Sequence, residues 1–322
     1  MLLRKKYDIY FSACDSDGGI YRYRSDGNGN IEFAEKYSLD RPMYLIINEN
    51  KLHCVLRECF DDSSSGVLSF DIEKDGTLRN PTEILSTMGK CGCHICTHNG
   101  SVYCTNYLSV SVSRIPDKIA IHSGHGINPA RQEAAHTHFV CTAPDGKNIF
   151  VTDLGIDKIF VYSPELEEVS SVEMPAGHGP RHIALHPDGE TVFCVNELAS
   201  TVSVLSYKNE TLTIKETVSA LPEDFDGTSI AAAIRFEDNK IYVSNRGHDS
   251  ISVMNFESGT LTLEKTIPVH GKNPRDLWVD EDVFICTNQD SNSVTILSRE
   301  DGKLLFEFKM PCPISVFIKI AE

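Results

Sequence analysis

A short phrase recurs along the whole chain, and it constrains the fold more than any other feature. Each copy is a run of β-branched and aromatic residues that ends in polar residues. The seven copies are IYFSAC, ending at Cys14, LHCVLRE at Glu58, VYCTNY at Tyr107, IFVTDL at Leu154, VFCVNE at Glu197, IYVSNR at Arg246 and VFICTNQ at Gln289. The end points are 43 to 49 residues apart, an interval typical of four-stranded modules arranged in a ring.

Another strand-like run precedes each phrase except the first, and no segment shows a sustained helical period of apolar residues. The run PISVFIKIA near the C-terminus has no phrase after it, so it can supply the strand that the first phrase lacks. We therefore predict an all-β fold: one seven-bladed β-propeller domain over residues 1–322. Pairing of the C-terminal strand with the N-terminal blade would close the ring and leave no open sheet edge there.

Charge and composition limit the partners of such a protein. The formal net charge is −16 and the 30 Lys and Arg residues are scattered, which disfavours binding to nucleic acid or to anionic membranes. No segment is long and apolar enough for a signal peptide or a membrane span. Several of the eleven cysteines lie in strand-like runs and behave as small buried hydrophobes. We expect a cytoplasmic protein with reduced thiols, whose oligomeric state stays open.

The stretch GHGPRHIALHPDGETVFCVNE (177–197) contains a turn at Asp188-Gly189 that folds one strand back on the next, which places Arg181 opposite Glu197. The same fold-back predicts the pairs Tyr44 with Glu58, His94 with Tyr107, His138 with Asp153, Arg235 with Arg246, and Arg275 with Gln289. All these pairs would meet at one mouth of the central axis.

A rim of this composition has two interpretations. The side chains can satisfy one another across neighbouring blades, as the lining of any polar channel must. Alternatively they form a functional site, because several cations gathered in an acidic protein repel one another unless carboxylates or an anionic ligand compensate. We favour the functional site for the cluster as a whole.

Four phrases carry a resemblance to a known family: INPARQEAAHTH (127–138), the 177–197 stretch, AAAIRFEDNKIYVSNRGHDSISV (231–253) and KNPRDLWVDEDVFICTNQDSNSV (272–294). In their order and position they resemble the seven-bladed propeller lactonases, which include the propeller-type 6-phosphogluconolactonase and the fungal carboxymuconate lactonizing enzyme. The resemblance covers nearly the whole chain. It implies an active site in the central cleft, built from His, Arg and Glu without a metal or other cofactor.

The resemblance and the rim together give the candidate residues. The catalytic candidates are Glu197, Arg181 and either His136 or His138 of the AHTH phrase. The substrate-binding candidates are Arg246, Arg235, His182, Arg131, Gln132, Gln289, His94 and Glu58. The implied activity is hydrolysis of a small anionic sugar-acid lactone, with 6-phosphogluconolactone as the substrate.

Opening a lactone needs an activated water, stabilisation of the oxyanion and a proton for the departing alkoxide. Glu197 or a rim histidine is the candidate base, Arg181 the candidate clamp, and Arg246 and Arg235 the candidate holders of a phosphate or carboxylate. GxSxG is absent, so we expect direct attack by water. An ion pair with Arg181 is the structural alternative for Glu197.

Two other functions stay open at this point. One is a cofactor-free cycloisomerase that closes or opens a muconate-type lactone with the same side chains, and the other is a non-catalytic propeller that presents its rim to another protein. No metal site is predicted. Cys93 and Cys96 lie on opposite faces of an extended strand, and the acidic turn at Asp15 lacks the Glu that a calcium loop needs.

Overall fold

The computed structural model describes residues 5–320, and every regular element in that range is a β-strand. The strands form seven sheets around a central axis. The prediction of an all-β, seven-bladed propeller is confirmed. The described residues include no helix long and apolar enough to cross a membrane.

The described range contains 29 strands, and most blades take four consecutive ones from the axis outward. In chain order they are β1 (Lys6–Ala13), β2 (Gly19–Asp26), β3 (Ile31–Ser38), β4 (Pro42–Asn48), β5 (Lys51–Leu56), β6 (Ser64–Ile72), β7 (Leu78–Arg79), β8 (Leu85–Lys90), β9 (Gly92–His98), β10 (Ser101–Asn106), β11 (Ser111–Ile115), β12 (Lys118–Ile121), β13 (Thr137–Thr142), β14 (Ile149–Asp153), β15 (Lys158–Tyr162), β16 (Glu168–Glu173), β17 (Pro180–Leu185), β18 (Thr191–Asn196), β19 (Thr201–Lys208), β20 (Thr211–Ser219), β21 (Ile230–Glu237), β22 (Lys240–Arg246), β23 (Ser250–Glu257), β24 (Thr260–Pro268), β25 (Pro274–Val279), β26 (Val283–Asn288), β27 (Ser293–Ser298), β28 (Leu304–Lys309) and β29 (Pro313–Ile320).

The ring closes as the sequence predicts. The C-terminal strand β29 is the innermost strand of the first blade and pairs antiparallel with β1, from Tyr7 opposite Ile320 to Ala13 opposite Pro313. The inner strands β4, β9, β13, β17, β21, β25 and β29 each contact the next, and β29 contacts β4. Seven clusters of buried apolar side chains fill the interfaces between neighbouring blades.

Each blade interrupts its ladder at the same place, where the inner strand and the second strand approach one mouth of the axis. A β-bulge leaves residues of the inner strand without a partner in the register and turns their side chains away from the regular alternation. The residues in these bulges are Met43, Cys93, His138, Arg181 with His182, Ala232 with Ala233, Arg275 and Ile314. The bulges therefore decide which side chains reach the mouth.

Candidate active site

A cavity of about 290 Å³ lies at the mouth where the bulges meet. We call it the mouth cavity. Its walls are Met43, Arg57, Cys91, Cys93, Tyr107, Arg131, His138, Glu197, Arg246 and Arg275. Four of these residues come from the bulges, so the repeated irregularity of the blades builds the cavity.

Glu197 is the centre of the site, because its buried carboxylate contacts three guanidiniums. Oε1 accepts a hydrogen bond from Arg131 Nη2 at 2.6 Å. Oε2 lies 2.9 Å from Arg181 Nε and 2.8 Å from Arg246 Nη2. Arg246 Nη2 also donates to the carbonyl of Ala231, and Arg181 Nη1 to that of Ala232, so both guanidiniums are fixed against β21.

The charges around Glu197 keep it ionised. Burial raises the pKa of the carboxyl, but the guanidiniums of Arg246 and Arg181 outweigh this and hold the pKa well below its usual range. Burial, followed by repulsion from Arg246, lowers the pKa of Arg181 to about 9, which leaves it charged at neutral pH. A carboxylate with so low a pKa is a weak base, and its main physical effect here is to hold cations together.

Two further arginines give the mouth cavity an excess of positive charge. Arg275 donates to Gln289 Oε1 at 3.2 Å and has no carboxylate at salt-bridge distance among residues 5–320. Its pKa is lowered by burial and then by Arg246. Arg57 is 4.0 Å from Glu58, which is itself nearly half exposed at the rim. Four arginines line the cavity and Arg181 lies behind Glu197, so the cavity suits an anionic ligand.

Histidines and aromatic rings fill the axis beneath the cavity. His138 forms part of the cavity wall, and its ring centroid is 5.5 Å from that of His182. His182 also contacts the rings of Tyr44, His94 and Phe139, which come from three other blades. Burial and the charge of Arg181 lower the pKa of both His138 and His182 well below its usual value, so both rings are neutral at pH 7.

The structure separates the two histidines of the AHTH phrase. His138 lines the mouth cavity, whereas His136 stacks on Tyr107 with ring centroids 4.2 Å apart and is not a lining residue. Its Nδ1 lies 3.1 Å from the carbonyl oxygen of Tyr107 and its Nε2 lies 3.1 Å from Glu133 Oε1. Both nitrogens of His136 are therefore engaged outside the cavity.

Several predicted residues lie away from the cavity. Arg235 donates to Asp276 Oδ1 at 2.6 Å, and the buried Gln132 donates to the carbonyl of Leu154. His94 and His182 lie below the cavity. Gln289 and Glu58 do not line it; Gln289 contacts the wall residue Arg275, and Glu58 contacts the wall residue Arg57.

Four predicted cross-strand pairs are wrong in register. Asp153 lies opposite Thr137 and not His138, which is in the bulge of β13. Arg235 lies opposite Tyr242 and not Arg246, because β21 and β22 are joined by a tight two-residue turn at Asp238-Asn239. His94 lies opposite Thr105 and not Tyr107. Tyr44 lies opposite Val55 and not Glu58. For Arg235, His94 and Tyr44 the ladder is regular from the turn to the residue, and the bulge lies nearer the mouth, so the fold-back placed the centre of the turn too far along the chain.

The catalytic and substrate-binding candidates do not include six residues of the cavity wall, of which the fold-back places only Tyr107 and Arg275 at the mouth: Met43, Arg57, Cys91, Cys93, Tyr107 and Arg275. For two of them the sequence contains a usable signal. Met43 and Arg275 follow a proline at the start of an inner strand, as Arg181 does. No three His, Cys, Asp or Glu side chains within residues 5–320 are grouped to hold a metal ion.

Comparison with known proteins places the chain in a family. It matches the family described as "Lactonase, 7-bladed beta-propeller" over residues 8–319, and it belongs to that family. An uncharacterized protein of Staphylococcus epidermidis is 33% identical, covering 91% of this chain and 93% of that protein.

Two solved structures show the same fold. The periplasmic gluconolactonase of Pseudomonas aeruginosa aligns with a TM-score of 0.89 and 24% identity, over 98% of this chain and all of that one. A putative 6-phosphogluconolactonase of Bacteroides fragilis aligns with a TM-score of 0.86 and 23% identity, over 98% of each chain.

Proposed function

We propose that the protein hydrolyses an anionic sugar-acid lactone in the mouth cavity, with 6-phosphogluconolactone as the first substrate to test. The observation that carries the proposal is a buried carboxylate held by three guanidiniums, with two further guanidiniums and a neutral histidine in the wall of the same cavity. Membership of the lactonase family supports the reaction class. The names of the two structural neighbours suggest the sugar-acid substrate.

Arg57 and Arg275 are the candidates to bind the anionic group of the substrate. Neither has its charge matched by a buried carboxylate, and guanidiniums fork onto phosphate or carboxylate oxygens. Arg131 and Arg246, held by Glu197, are then the donors for the lactone carbonyl. Fixed cations of this kind stabilise the oxyanion that forms when water attacks.

His138 is the candidate general base, in preference to Glu197. Its neutral ring can accept a proton, whereas the Glu197 carboxylate is compensated by three guanidiniums. In this mechanism water attacks the carbonyl carbon while His138 takes one of its protons. The acyl–oxygen bond then breaks, and the imidazolium returns the proton to the departing alkoxide, which becomes the free hydroxyl of the product.

The test is turnover of 6-phosphogluconolactone, gluconolactone and carboxymuconolactone by the purified protein and two matched variants. His138→Gln should lower kcat/KM by about 100-fold or more, in line with loss of a general base. His136→Gln, which changes a buried histidine two residues away, should retain most activity. Equal losses in the two variants would remove His138 from the mechanism.

Reaction in ¹⁸O-labelled water distinguishes hydrolysis from isomerisation. Hydrolysis places one labelled oxygen in the product carboxylate, and a cycloisomerase incorporates none. No turnover of any of the three lactones by a correctly folded protein would refute the proposed function.

A further inference from the structure

Two adjacent histidines, one in the wall of the mouth cavity and one beneath it, each have a buried ring nitrogen with no hydrogen-bond partner among residues 5–320. These atoms are Nδ1 of His138 and Nδ1 of His182. The two rings lie 5.5 Å apart at an angle of 62°. A buried polar group left unpaired costs about 1 to 3 kcal/mol, so each of these atoms requires a partner that residues 5–320 do not supply.

The contact with Arg181 determines where His182 carries its proton. Arg181 Nη1 lies 3.1 Å from His182 Nε2. A guanidinium only donates hydrogen bonds, so Nε2 must be the acceptor and the neutral ring carries its hydrogen on Nδ1. The same Nη1 donates to the Ala232 carbonyl at 2.7 Å, which holds this geometry in place. His182 therefore directs an N–H donor into the interior.

His138 needs the same tautomer for the role proposed above. The ring lines the mouth cavity while its Nδ1 is buried, which leaves Nε2 as the nitrogen for the cavity. To accept a proton there, the neutral ring must carry its hydrogen on Nδ1. The imidazolium that forms keeps this Nδ1–H, and a base of this kind is normally oriented by an acceptor at that position. No side chain or carbonyl of residues 5–320 supplies one.

We infer that a single buried water accepts hydrogen bonds from Nδ1–H of His138 and Nδ1–H of His182, and that His182 is thereby a positioning residue for His138. The inference rests on the proposed function, in which His138 is the base. Water has two acceptor lone pairs and can serve both donors. Buried waters of this kind occur where polar atoms have no protein partner.

The surrounding charges are consistent with two neutral rings that share a water. The charged groups that act on His138 are Arg181, Glu197, Arg275 and Arg246, and the groups that act on His182 are Arg181, His94, His138 and Arg235. Burial and Arg181 lower the pKa of both rings. An anionic substrate would add negative charge beside His138 and so favour its protonation during the reaction.

The test combines a high-resolution crystal structure with ¹⁵N NMR of the histidine rings, the His138 signals being identified by their loss in His138→Gln. We expect an ordered water within hydrogen-bond distance of both Nδ1 atoms, and the proton of His138 on Nδ1.

Two variants separate the nitrogens of His182: the amide of His182→Asn lies near the Nδ1 position, and that of His182→Gln near the Nε2 position. His98→Asn is the control, since His98 is buried at the far end of β9 and contacts Thr142.

The Gln variant should give a mixture of His138 tautomers, a kcat lower by about tenfold, little change in KM and a displaced acid limb of the pH profile. The Asn variant should lose less activity, and His98→Asn should change neither the tautomer nor the pH profile. A tautomer change without lactone hydrolysis by any form would support the shared water and refute the proposed function. If His182→Gln does not fold, the crystal structure and the native NMR spectrum still decide.

Three results would overturn the inference. They are a His138 proton on Nε2 in the native protein, an unchanged tautomer in folded His182→Gln, and a crystal structure with no water between the two nitrogens.

Discussion

Substitution of Glu197 tests how single residues balance charge at the site. Its carboxylate contacts Arg131, Arg181 and Arg246, so Glu197→Gln leaves three guanidiniums with no compensating charge at nearly constant volume. Removing one member of a buried ion cluster costs about 3 to 5 kcal/mol. We expect lower stability and a kcat lower by at least tenfold, because the donors for the lactone carbonyl lose their fixed positions.

The KM for an anionic lactone should not rise in Glu197→Gln, because the variant removes negative charge from the mouth cavity. Added sulfate should restore part of the stability by occupying the uncompensated cations. Urea unfolding and steady-state kinetics measure these effects. Glu133→Gln, at an exposed carboxylate, is the matched control. Full activity in Glu197→Gln would show that the carboxylate has no part in the mechanism.

The buried histidines predict a loss of stability in mild acid. Burial, followed by Arg235 for His94 and by Arg181 for the other two, lowers the pKa of His94, His138 and His182 well below its usual value. In the unfolded chain these rings titrate near pH 6.5. Below that pH the unfolded state takes up protons that the folded state does not, so the free energy of unfolding decreases as the pH is lowered. Each histidine contributes up to about 1.4 kcal/mol per pH unit.

The free energy of unfolding, measured in urea between about pH 5.5 and 7.5, tests this effect. These three histidines should cause no change in the free energy of unfolding above about pH 6.5. His94→Phe should make the slope below that pH shallower, and His125→Gln, at an exposed histidine, should leave it unchanged. A slope unaffected by His94→Phe would show that His94 titrates alike in both states. Glu197 adds its own loss only below its unfolded pKa near 4.5.

Element geometry explains which site residues the sequence reveals and which it conceals. Arg181 and Glu197 meet as the fold-back predicts, because Glu197 directly follows the end of β18 and the bulge of β17 turns Arg181 towards it. The same counting fails for Arg235, which lies too close to a two-residue turn to reach the mouth. Repeat spacing predicts the number and order of the blades. It carries no information on an extra unpaired residue, which depends on local backbone geometry.

A second repeated device fixes the end of the second strand. In four blades an asparagine at this end donates through Nδ2 to hydroxyls five or seven residues later. The contacts are Asn106 with Ser111 and Ser113, Asn196 with Thr201 and Ser203, Asn245 with Ser250 and Ser252, and Asn288 with Thr295. The asparagine therefore ties the second strand to the third strand, and in three of the four blades the next residue, Tyr107, Glu197 or Arg246, lines the mouth cavity.

Two asparagine variants distinguish the contribution of these hydrogen bonds to protein stability from their effect on the site. Asn196→Ala and Asn288→Ala should each lose about 1 to 3 kcal/mol, because buried hydroxyls lose their donor. Only Asn196→Ala should lower kcat/KM, since Asn196 precedes Glu197 whereas Asn288 precedes Gln289, which does not line the cavity. Chemical denaturation and kinetics measure the two effects. Equal loss of activity in both variants would contradict a local role for Asn196.

At the scale of the whole molecule, the ring is joined by the ladder between β29 and β1, which ties the C-terminal strand to the first blade. Opening the ring requires this ladder to break, because residues of both β29 and β1 pack at the two interfaces of the first blade with its neighbours. The other neighbouring blades are joined by side-chain packing, by hydrogen bonds such as that from the Ala231 amide to the Glu197 carbonyl, and by the connecting chain, without a shared ladder within residues 5–320. The site depends on closure as well, since its wall combines Met43 and Arg57 with Arg275 from the last blade.

Two circular permutants test the contribution of this ladder. In both, a short Gly/Ser linker joins the ends of β29 and β1, which are adjacent antiparallel strands. The first is opened between β3 and β4, so every blade becomes continuous in sequence, and packing and side-chain hydrogen bonds close the ring without a ladder. The second is opened at the exposed Asp238-Asn239 turn, so the ladder between β21 and β22 closes it.

We expect both permutants to hydrolyse lactone, and the first to unfold much faster in denaturant, because no strand from the far end of the chain must be withdrawn. Equal unfolding rates would show that inter-blade packing, and not the shared blade, limits the opening of the ring.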